Sequence, residues 1–309
     1  MRGCWQARPL QPSLEPQTVA GVLAEGEALL AGDTDARADA QILLAFALGR
    51  ERAWLISHGE SLLNRGQAEK YLELCKKRAA GMPVAYITGF SGFYKREFAV
   101  NEHVLIPRPE TEHLVEDAII YLRSRLDPDS SAQQVFTVFE AGVGSGAIAC
   151  TIAAEVPGAI VEGTDSSAEA VRLAEYNARR LNVHARCTFT QADVVKRGDQ
   201  KNYDLVIANL PYIPAADVPQ KPDPVGYEPR LALDGGPDGL SVYRRLLVAV
   251  PKLLWPGGLL LMEAAPPTVR VLRDLTAQVL PQTNPEVRSD YAGLERYVFA
   301  RGGRPRNGE

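Results

Sequence analysis

The sequence predicts an α/β fold: a mostly parallel sheet with an antiparallel C-terminal edge, preceded by a small helical domain. Three observations point to it. From Val135 onward, short apolar and β-branched runs alternate with amphipathic segments of helical length, which implies βαβ crossovers and a largely parallel sheet. Near the end, Glu286 to Asp290 and Glu295 to Ala300 are joined through Ala292-Gly293, a spacing that suits an antiparallel hairpin at one edge. Between Thr18 and Gly81 the apolar residues recur at helical spacing, and no strand pattern appears.

Composition narrows the function classes. The chain has 309 residues, 46% of them hydrophobic, enough for one large domain or two ordinary ones. Lys and Arg number 34 against 38 Asp and Glu, a formal charge of −4, whereas a protein that binds nucleic acid in bulk is usually basic. No direct nucleic-acid binding is therefore expected. The longest apolar runs, such as Ile42 to Leu48 and Gly258 to Met262, fall far short of the roughly 18 to 20 residues that span a bilayer, so no membrane is expected either. Cys4, Cys75, Cys150 and Cys187 are scattered, without the close pairs of a zinc site or a disulfide framework, and read as reduced thiols. The first 14 residues carry Arg2 and Arg8, no acid and no signal-type apolar stretch; they read as the disordered start of a cytoplasmic protein.

The expected domains follow in order. A helical bundle spans 13–84. Within it, Asp33 or Thr34 can cap a helix on which Ala36, Ala40, Leu43, Leu44, Ala47 and Leu48 share a face, with Gly49 as its stop. A further helix, rich in Glu and Lys, runs from about Gly66 to Ala80 and is ended by Gly81 and Pro83. Residues 85–107 are the expected connector, because Tyr86 to Ile106 is aromatic and β-branched, punctuated by Gly89, Gly92 and Asn101, and reads as a β-hairpin. The domain 108–309 opens with a helix bearing Leu114, Val115, Ala118, Ile119 and Leu122, its first turn suited by Thr111 and Glu112. Strands are expected near residues 135–139, 159–162, 186–190, 204–208 and 258–263, with helices near 146–155, 167–181, 240–253 and 267–280.

The residues that carry chemistry sit where these strands end. Glu140-Ala141-Gly142-Val143-Gly144-Ser145-Gly146-Ala147 follows the first strand of the series and opens a helix, so glycines and helix N–H groups meet a ligand together. Read as G-x-G-x-x-A, it fits a dinucleotide fingerprint equally well. Asp165 ends the second strand, where a carboxylate can accept both hydroxyls of a ribose; the alternative is a helix cap before Ser166 and Ser167. Asp193, with Val194 beside it, is the corresponding candidate for an adenine amino group, again with a cap as the alternative. Asn209-Leu210-Pro211-Tyr212 closes the fourth strand. The Asn209 side-chain oxygen and the Leu210 carbonyl can together accept both hydrogens of a planar –NH2 group, and Tyr212 can stack on it. His58, His103, His113 and His184 show no metal spacing and are expected at the surface or in linkers; no metal is expected. Arg108 and Glu110 either hold the connector or line the substrate entrance, or simply form a salt bridge.

Glu140 before the three glycines, then Asp165, Asp193 and Asn209-Leu210-Pro211-Tyr212, in that order, resemble a class I S-adenosylmethionine-dependent methyltransferase acting on an amide or amino nitrogen. Outside this core, Val104-Leu105-Ile106-Pro107-Arg108-Pro109-Glu110-Thr111-Glu112 and Tyr227-Glu228-Pro229-Arg230-Leu231-Ala232-Leu233-Asp234-Gly235-Gly236 are similar to signatures of the PrmC/HemK family. Its members methylate the glutamine N5 of peptide-release factors. The resemblance covers most of the chain. It implies a Rossmann-like class I methyltransferase fold, S-adenosyl-L-methionine as cofactor, and class-1 peptide-chain release factors as protein substrate. It also assigns Glu140, Gly142, Val143, Gly144, Ser145, Gly146, Asp165, Asp193, Val194 and Asn209 to the cofactor, and Asn209, Leu210, Pro211 and Tyr212 to catalysis and the substrate amide.

Two departures from the family pattern are visible. Leu210 stands where the family usually has a first proline, giving the Asn-Leu-Pro-Tyr familiar from ribosomal-RNA adenine dimethyltransferases. Glu263-Ala264-Ala265 replaces a Glu-Ile-Gly-like sequence, a change expected to alter packing under the site and leave the chemistry alone. An adenine N6-methyltransferase acting on RNA or DNA, or a ribosomal-protein glutamine methyltransferase, are the alternative functions. The Pro109-Glu110-Thr111 continuation favours the release-factor enzyme over the ribosomal-protein one.

Overall fold

The computed structural model describes residues 17–32, 35–127, 134–195 and 201–302. It forms two compact units, Met1–Thr88 and Gly89–Glu309. In the first, β1 (Gln17–Thr18) leads into α1 (Val19–Leu29), α2 (Ala36–Leu48) and α3 (Arg52–Ser57), then β2 (Leu62–Leu63), α4 (Arg65–Ala79) and α5 (Val84–Thr88). Val19, Val22, Leu43, Leu44 and Tyr71 pack as its core. α2 ends on Gly49 in the left-handed conformation at φ 62°, as its sequence requires. The expected caps Asp33 and Thr34 lie outside the described residues, as do Cys4 and the expected disordered start.

Local chemistry adds details that periodicity missed. Asn64 and Gln67 form a reciprocal capping box at the start of α4: each side-chain oxygen accepts from the other's backbone N–H, at 2.9 and 3.0 Å. β1 and β2 pair antiparallel over two residues, too short for any alternating pattern to show. The strand expected from Tyr86 is helical at its beginning, because the Pro83 carbonyl accepts from the N–H of Tyr86 and Ile87, and Val84 and Ile87 pack on the helical core. Only β3 (Phe90–Phe93) and β4 (Arg96–Ala99) form the hairpin.

The second unit continues through α6 (Pro109–Ser124), β5 (Phe136–Ala141), α7 (Ala147–Glu155), β6 (Ala159–Asp165), α8 (Ala168–Arg180), β7 (Cys187–Gln191) and β8 (Tyr203–Asn209). It ends with α9 (Arg230–Leu233), α10 (Ser241–Leu253), β9 (Leu254–Glu263), α11 (Pro266–Val279), β10 (Glu286–Ser289) and β11 (Glu295–Arg301). The seven-stranded sheet has the order β10-β11-β9-β8-β5-β6-β7. β5 to β9 are parallel, and β11 and β10 run antiparallel at one edge. One apolar cluster unites α6, α7 and α8 with the sheet, and another unites α10 and α11 with it. Strands covered on both faces are apolar along their whole length, as in Leu205-Val206-Ile207-Ala208.

This topology positions the site. The chain runs outward from β5 to β6 and β7, then lays β8 and β9 on the other flank, so the strand order reverses between β5 and β8. Ligands of open α/β sheets bind at such a reversal, beyond the carboxyl ends of the strands. In register, Ala141 is level with Ala208, and Asn209 is level with Glu263. Hence the glycine-rich turn after β5 and the Asn209 turn after β8 emerge side by side.

Candidate active site

Gly142, Gly144 and Gly146 all adopt positive φ, at 77°, 50° and 79°, a path that a side chain would strain. Gly146 also lacks room, since a Cβ there would stand 3.1 Å from the Ala174 side chain on α8. The loop is held from several directions. Gly142 and Val143 N–H donate to the Thr164 carbonyl at 2.8 and 3.0 Å. Asp165 accepts from Gly144 N–H through Oδ2 and from Ser167 N–H through Oδ1, both at 2.9 Å. Burial raises its carboxyl above the usual range, against the lowering effect of these backbone donors. Asn177, fully buried on α8, donates to the Ser145 and Ala99 carbonyls and accepts from Ala99 N–H, each at 2.9 Å, tying the β3–β4 hairpin to the loop. Glu140 lies under the loop, where Oε2 accepts from Ala149 N–H at 2.9 Å, and burial pushes its carboxyl well above the ordinary range.

A cleft of about 480 Å³ opens over these groups. Glu140, Gly142, Val143, Gly144, Ser145, Asp165, Asp193, Val194, Asn209, Leu210 and Pro211 line it; Gly146 and Tyr212 do not. Gly146 instead stands immediately before α7, as its N-cap. Asp193 is exposed and ion-paired with Arg245 at 3.2 Å, also on the cleft. Val194 has φ 63°, rare for a β-branched residue, and the turn is held by Val195 N–H donating to the Asp193 carbonyl at 2.7 Å and the Thr164 hydroxyl donating to the Val194 carbonyl. Strain of this kind persists where surrounding contacts over-determine it, commonly at ligand sites.

Around Asn209 the structure adds residues that the sequence did not mark as a site. Asn209 Nδ2 donates to Thr111 Oγ1 at 3.0 Å, and the Thr111 hydroxyl donates to Glu263 Oε2 at 2.8 Å. Thr111 and Glu112 were expected to serve the first turn of α6, but neither caps it: Thr111 faces the site, and Glu112 accepts from Tyr94 N–H at 2.9 Å. Glu263 stands in the tripeptide whose departure, at Ala264 and Ala265, is expected to alter packing, and no role at the site is expected of Glu263 itself. It is 1% exposed, among the described residues no donor reaches its Oε1 in hydrogen-bond geometry, and burial pushes its carboxyl up to about 7 despite the Thr111 hydroxyl, the nearby Arg296 guanidinium and the Tyr212 phenol. Burial likewise drives the Tyr212 phenol, near Glu263, Arg296 and Arg108, up to about 12.

Leu210 is buried, with its side chain against Gly142, where a Cβ would stand 2.8 Å from Leu210 Cδ2. The N–H that leucine has and proline lacks donates to the Tyr243 hydroxyl at 3.0 Å. That hydroxyl has one hydrogen to share between the Glu263 carbonyl and the Leu210 carbonyl. Arg108 lines the cleft and pairs with Glu228, which also accepts from Ile106 N–H at 3.0 Å; Glu110, named with it in the sequence, does not line the cleft, and its carbonyl accepts from the Tyr297 hydroxyl at 2.6 Å. His113 departs from the surface position expected of it; half-buried, it stacks on Tyr291 at 4.4 Å and meets Tyr297 edge-on.

Comparison with known proteins decides the family. A family model described as PrmC N-terminal domain matches residues 21–89, and one described as Methyltransferase small domain matches residues 121–220. The chain is 41% identical to the release factor glutamine methyltransferase of Moorella thermoacetica, over 85% of this chain and 90% of that protein. The chain belongs to the release factor glutamine methyltransferase family. The corresponding protein of Bradyrhizobium diazoefficiens is 37% identical over 86% of this chain and 88% of its own. A methyltransferase structure from Pyrococcus furiosus is a looser likeness, with TM-score 0.47 and 16% identity over 68% of this chain and 91% of that one.

For a member of this family, the two sequence signatures around Arg108 and Glu228 are one feature, brought into a single ion pair across 120 residues. Asn177 and Tyr243 are the residues that sequence reasoning left out, while Thr111, Glu228 and Glu263 stood within quoted segments without a role at the site. Glu228 carried the signal of its signature, and Glu263 that of an acid closing the apolar strand Leu259-Leu260-Leu261-Met262.

Proposed function

We propose that the chain transfers the methyl group of S-adenosyl-L-methionine to the side-chain amide N5 of the glutamine in the Gly-Gly-Gln motif of class-1 peptide-chain release factors, as a cytoplasmic enzyme. The observation that carries this reading is the shared cleft, in which Asn209, Leu210 and Pro211 stand beside the glycine loop at the strand-order reversal. No helix of the described residues is long and apolar enough to cross a membrane.

The residues fit the cofactor. A carboxylate has about four lone-pair sites, so Asp165, with one backbone donor on each oxygen, retains capacity for two ribose hydroxyls. The glycine loop keeps Cβ atoms out of the cleft wall, and the volume lies in the ordinary range for such sites. Asp193 and the strained Val194 turn are assigned to the adenine end. When bound, S-adenosylmethionine supplies an electrophilic methyl on a sulfonium.

An amide nitrogen is a poor nucleophile because its lone pair is delocalised, so alignment and charge stabilisation carry the catalysis. Asn209 Oδ1 and the Leu210 carbonyl accept the two amide hydrogens and turn the nitrogen toward the methyl. Positive charge growing on nitrogen strengthens both bonds in the transition state, which is differential binding, and the resulting cationic N-methyl amide, being strongly acidic, loses one of its two hydrogens as a proton to water. A carbonyl has two lone pairs, so Leu210 serves the substrate even while Tyr243 approaches it. The helical domain is assigned to docking the release factor away from the reacting amide.

Mass spectrometry of a purified release factor after incubation with the enzyme and cofactor tests this reading. One methyl group on the Gly-Gly-Gln glutamine is expected, with a short peptide of that motif a much poorer acceptor. Methylation of RNA or DNA adenine in preference to the factor would overturn it; neither that alternative nor the ribosomal-protein one is favoured by the relatives' names.

A further inference from the structure

We infer that Thr111 and Glu263 are positioning residues that fix which end of the Asn209 amide meets the substrate. The inference rests on the reading that Asn209 receives the acceptor amide. A primary amide presents two N–H donors and therefore requires acceptors. The asparagine side chain offers one acceptor and one donor group of nearly equal size, so a half-turn about its last bond exchanges them at little steric cost. Hydrogen bonding has to make the choice.

The structure provides a directional chain for that choice. Glu263 ends β9 level with Asn209 at the end of β8. The Thr111 hydroxyl carries one hydrogen and gives it to Glu263 Oε2 at 2.8 Å, the stronger choice because a carboxylate is the acceptor. Thr111 Oγ1 is then left only to accept, which selects Asn209 Nδ2 at 3.0 Å. Oδ1 is the remaining end, and among the described residues no protein group donates to it. The opposite rotamer would set the asparagine –NH2 against the substrate –NH2, leaving buried donors unpaired.

The chain also has a way to reverse. A protonated Glu263 can donate to Thr111, freeing the threonine hydrogen for Asn209 Oδ1 and turning the amide over. Tyr212, Tyr243, Tyr297, Glu110 and Arg296 are the titratable and charged groups that sense Glu263 from the surrounding elements. With the Glu263 carboxyl held up to about 7, the correct orientation is lost as pH falls through that value.

Steady-state kinetics with intact release factor tests the arrangement, using Thr111→Val, Thr111→Ser, Glu263→Gln, Asn209→Ala and the Thr111→Val/Asn209→Ala double variant. Thr111→Val is expected to lower kcat on the order of tenfold while cofactor affinity stays within about twofold, and Thr111→Ser to restore most of the rate. On the Asn209→Ala background Thr111→Val adds nothing further, because its effect passes through Asn209. Glu263→Gln lowers kcat and removes the acid limb of the pH–rate profile. Wild-type kcat in Thr111→Val beside a crippled Asn209→Ala overturns the positioning role and leaves the substrate reading standing. An unimpaired Asn209→Ala overturns the substrate reading itself. A rate loss in Thr111→Val that persists undiminished in the double variant, or an acid limb retained by Glu263→Gln, also overturns the positioning role.

Discussion

The two units bury different kinds of residue. Among the described residues, the buried Glu, Asp, Asn, Ser and Thr side chains all belong to the second unit, whereas the helical unit has an apolar core and keeps its charges outside or at its margin. Its ion pairs are largely exposed, as for Arg65 with Glu69 and Lys76 with Glu73; Arg78 with Asp39 is the more enclosed case. In the second unit, Glu140, Glu228, Glu263, Asp204 and Asp290 are at most 8% exposed. Removing a carboxylate from water is costly unless donors surround it. Asp290 has such a shell, from Ala292 and Leu294 N–H and Arg296, whereas among the described residues no donor reaches Glu263 Oε1 in hydrogen-bond geometry. Buried polarity thus marks where fixed hydrogen-bonding directions matter, and the incompletely satisfied acid lies beside the proposed acceptor site at Asn209.

Substitutions can break this contrast or sharpen it. The largest effect is expected from Asn209→Ala: kcat should fall on the order of a hundredfold to a thousandfold, by analogy with oxyanion-hole donors, with cofactor affinity largely intact. Turnover and calorimetry check it, and a change under about tenfold would remove Asn209 from the acceptor role.

Glu263 gives the next. Its folded-state carboxyl is raised from 4.5 to about 7, so between those values the folded chain holds a proton that the unfolded chain releases. Stability from this group is therefore greatest below pH 4.5 and is lost as pH rises toward 7, a penalty on the order of 3 kcal/mol. Urea unfolding at low and high pH should show this loss in the wild type and a smaller one in Glu263→Gln; identical pH dependence would contradict it.

Asp165→Ala should weaken S-adenosylmethionine binding by roughly 1.5 to 3 kcal/mol, since charged hydrogen bonds to hydroxyls are lost. Unchanged affinity in a folded variant would move the ribose contact elsewhere. In the helical unit, Asn64→Ala should lower stability by about 1 kcal/mol through the lost cap and leave kcat unchanged. An altered kcat would show that the two units differ less than their cores suggest. The smallest effect is expected from Leu210→Pro, with kcat within about threefold of wild type, because the Leu210 carbonyl survives and only one donor to Tyr243 is lost. A larger drop in single-turnover rate would make the Leu210 N–H part of the arrangement.

Much of this protein was legible in its residues one segment at a time. Apolar periodicity located the parallel strands and their helices to within a few positions, because each element buries one face or both and its sequence must repeat accordingly. The glycine loop and Asn209-Leu210-Pro211 were legible for a local reason too: positive φ demands glycine, and a strand end that feeds a ligand crevice changes abruptly from apolar to polar. Local reading failed where two tendencies competed over a few residues. Val84–Thr88 carries β-branched and aromatic residues yet folds as a helix, since the helical turn after Pro83 lets Val84 and Ile87 reach the same core.

What the sequence determined by itself is therefore the order of the main strands and helices of the α/β unit, the helical character of the first unit and the cleft residues that lie within one turn of a strand end. Tertiary structure alone decided the partnerships. Thr111 looked like a residue of a helical first turn, and Glu263 like the polar end of a strand, until the fold brought them together across 152 residues and set both against Asn209. The same holds for Arg108 with Glu228 and for Asn177 beneath the glycine loop. A hydrogen bond depends on the distance and direction between two atoms, and for residues so far apart along the chain those are set by the stacking of helices on the sheet, which no window of sequence contains.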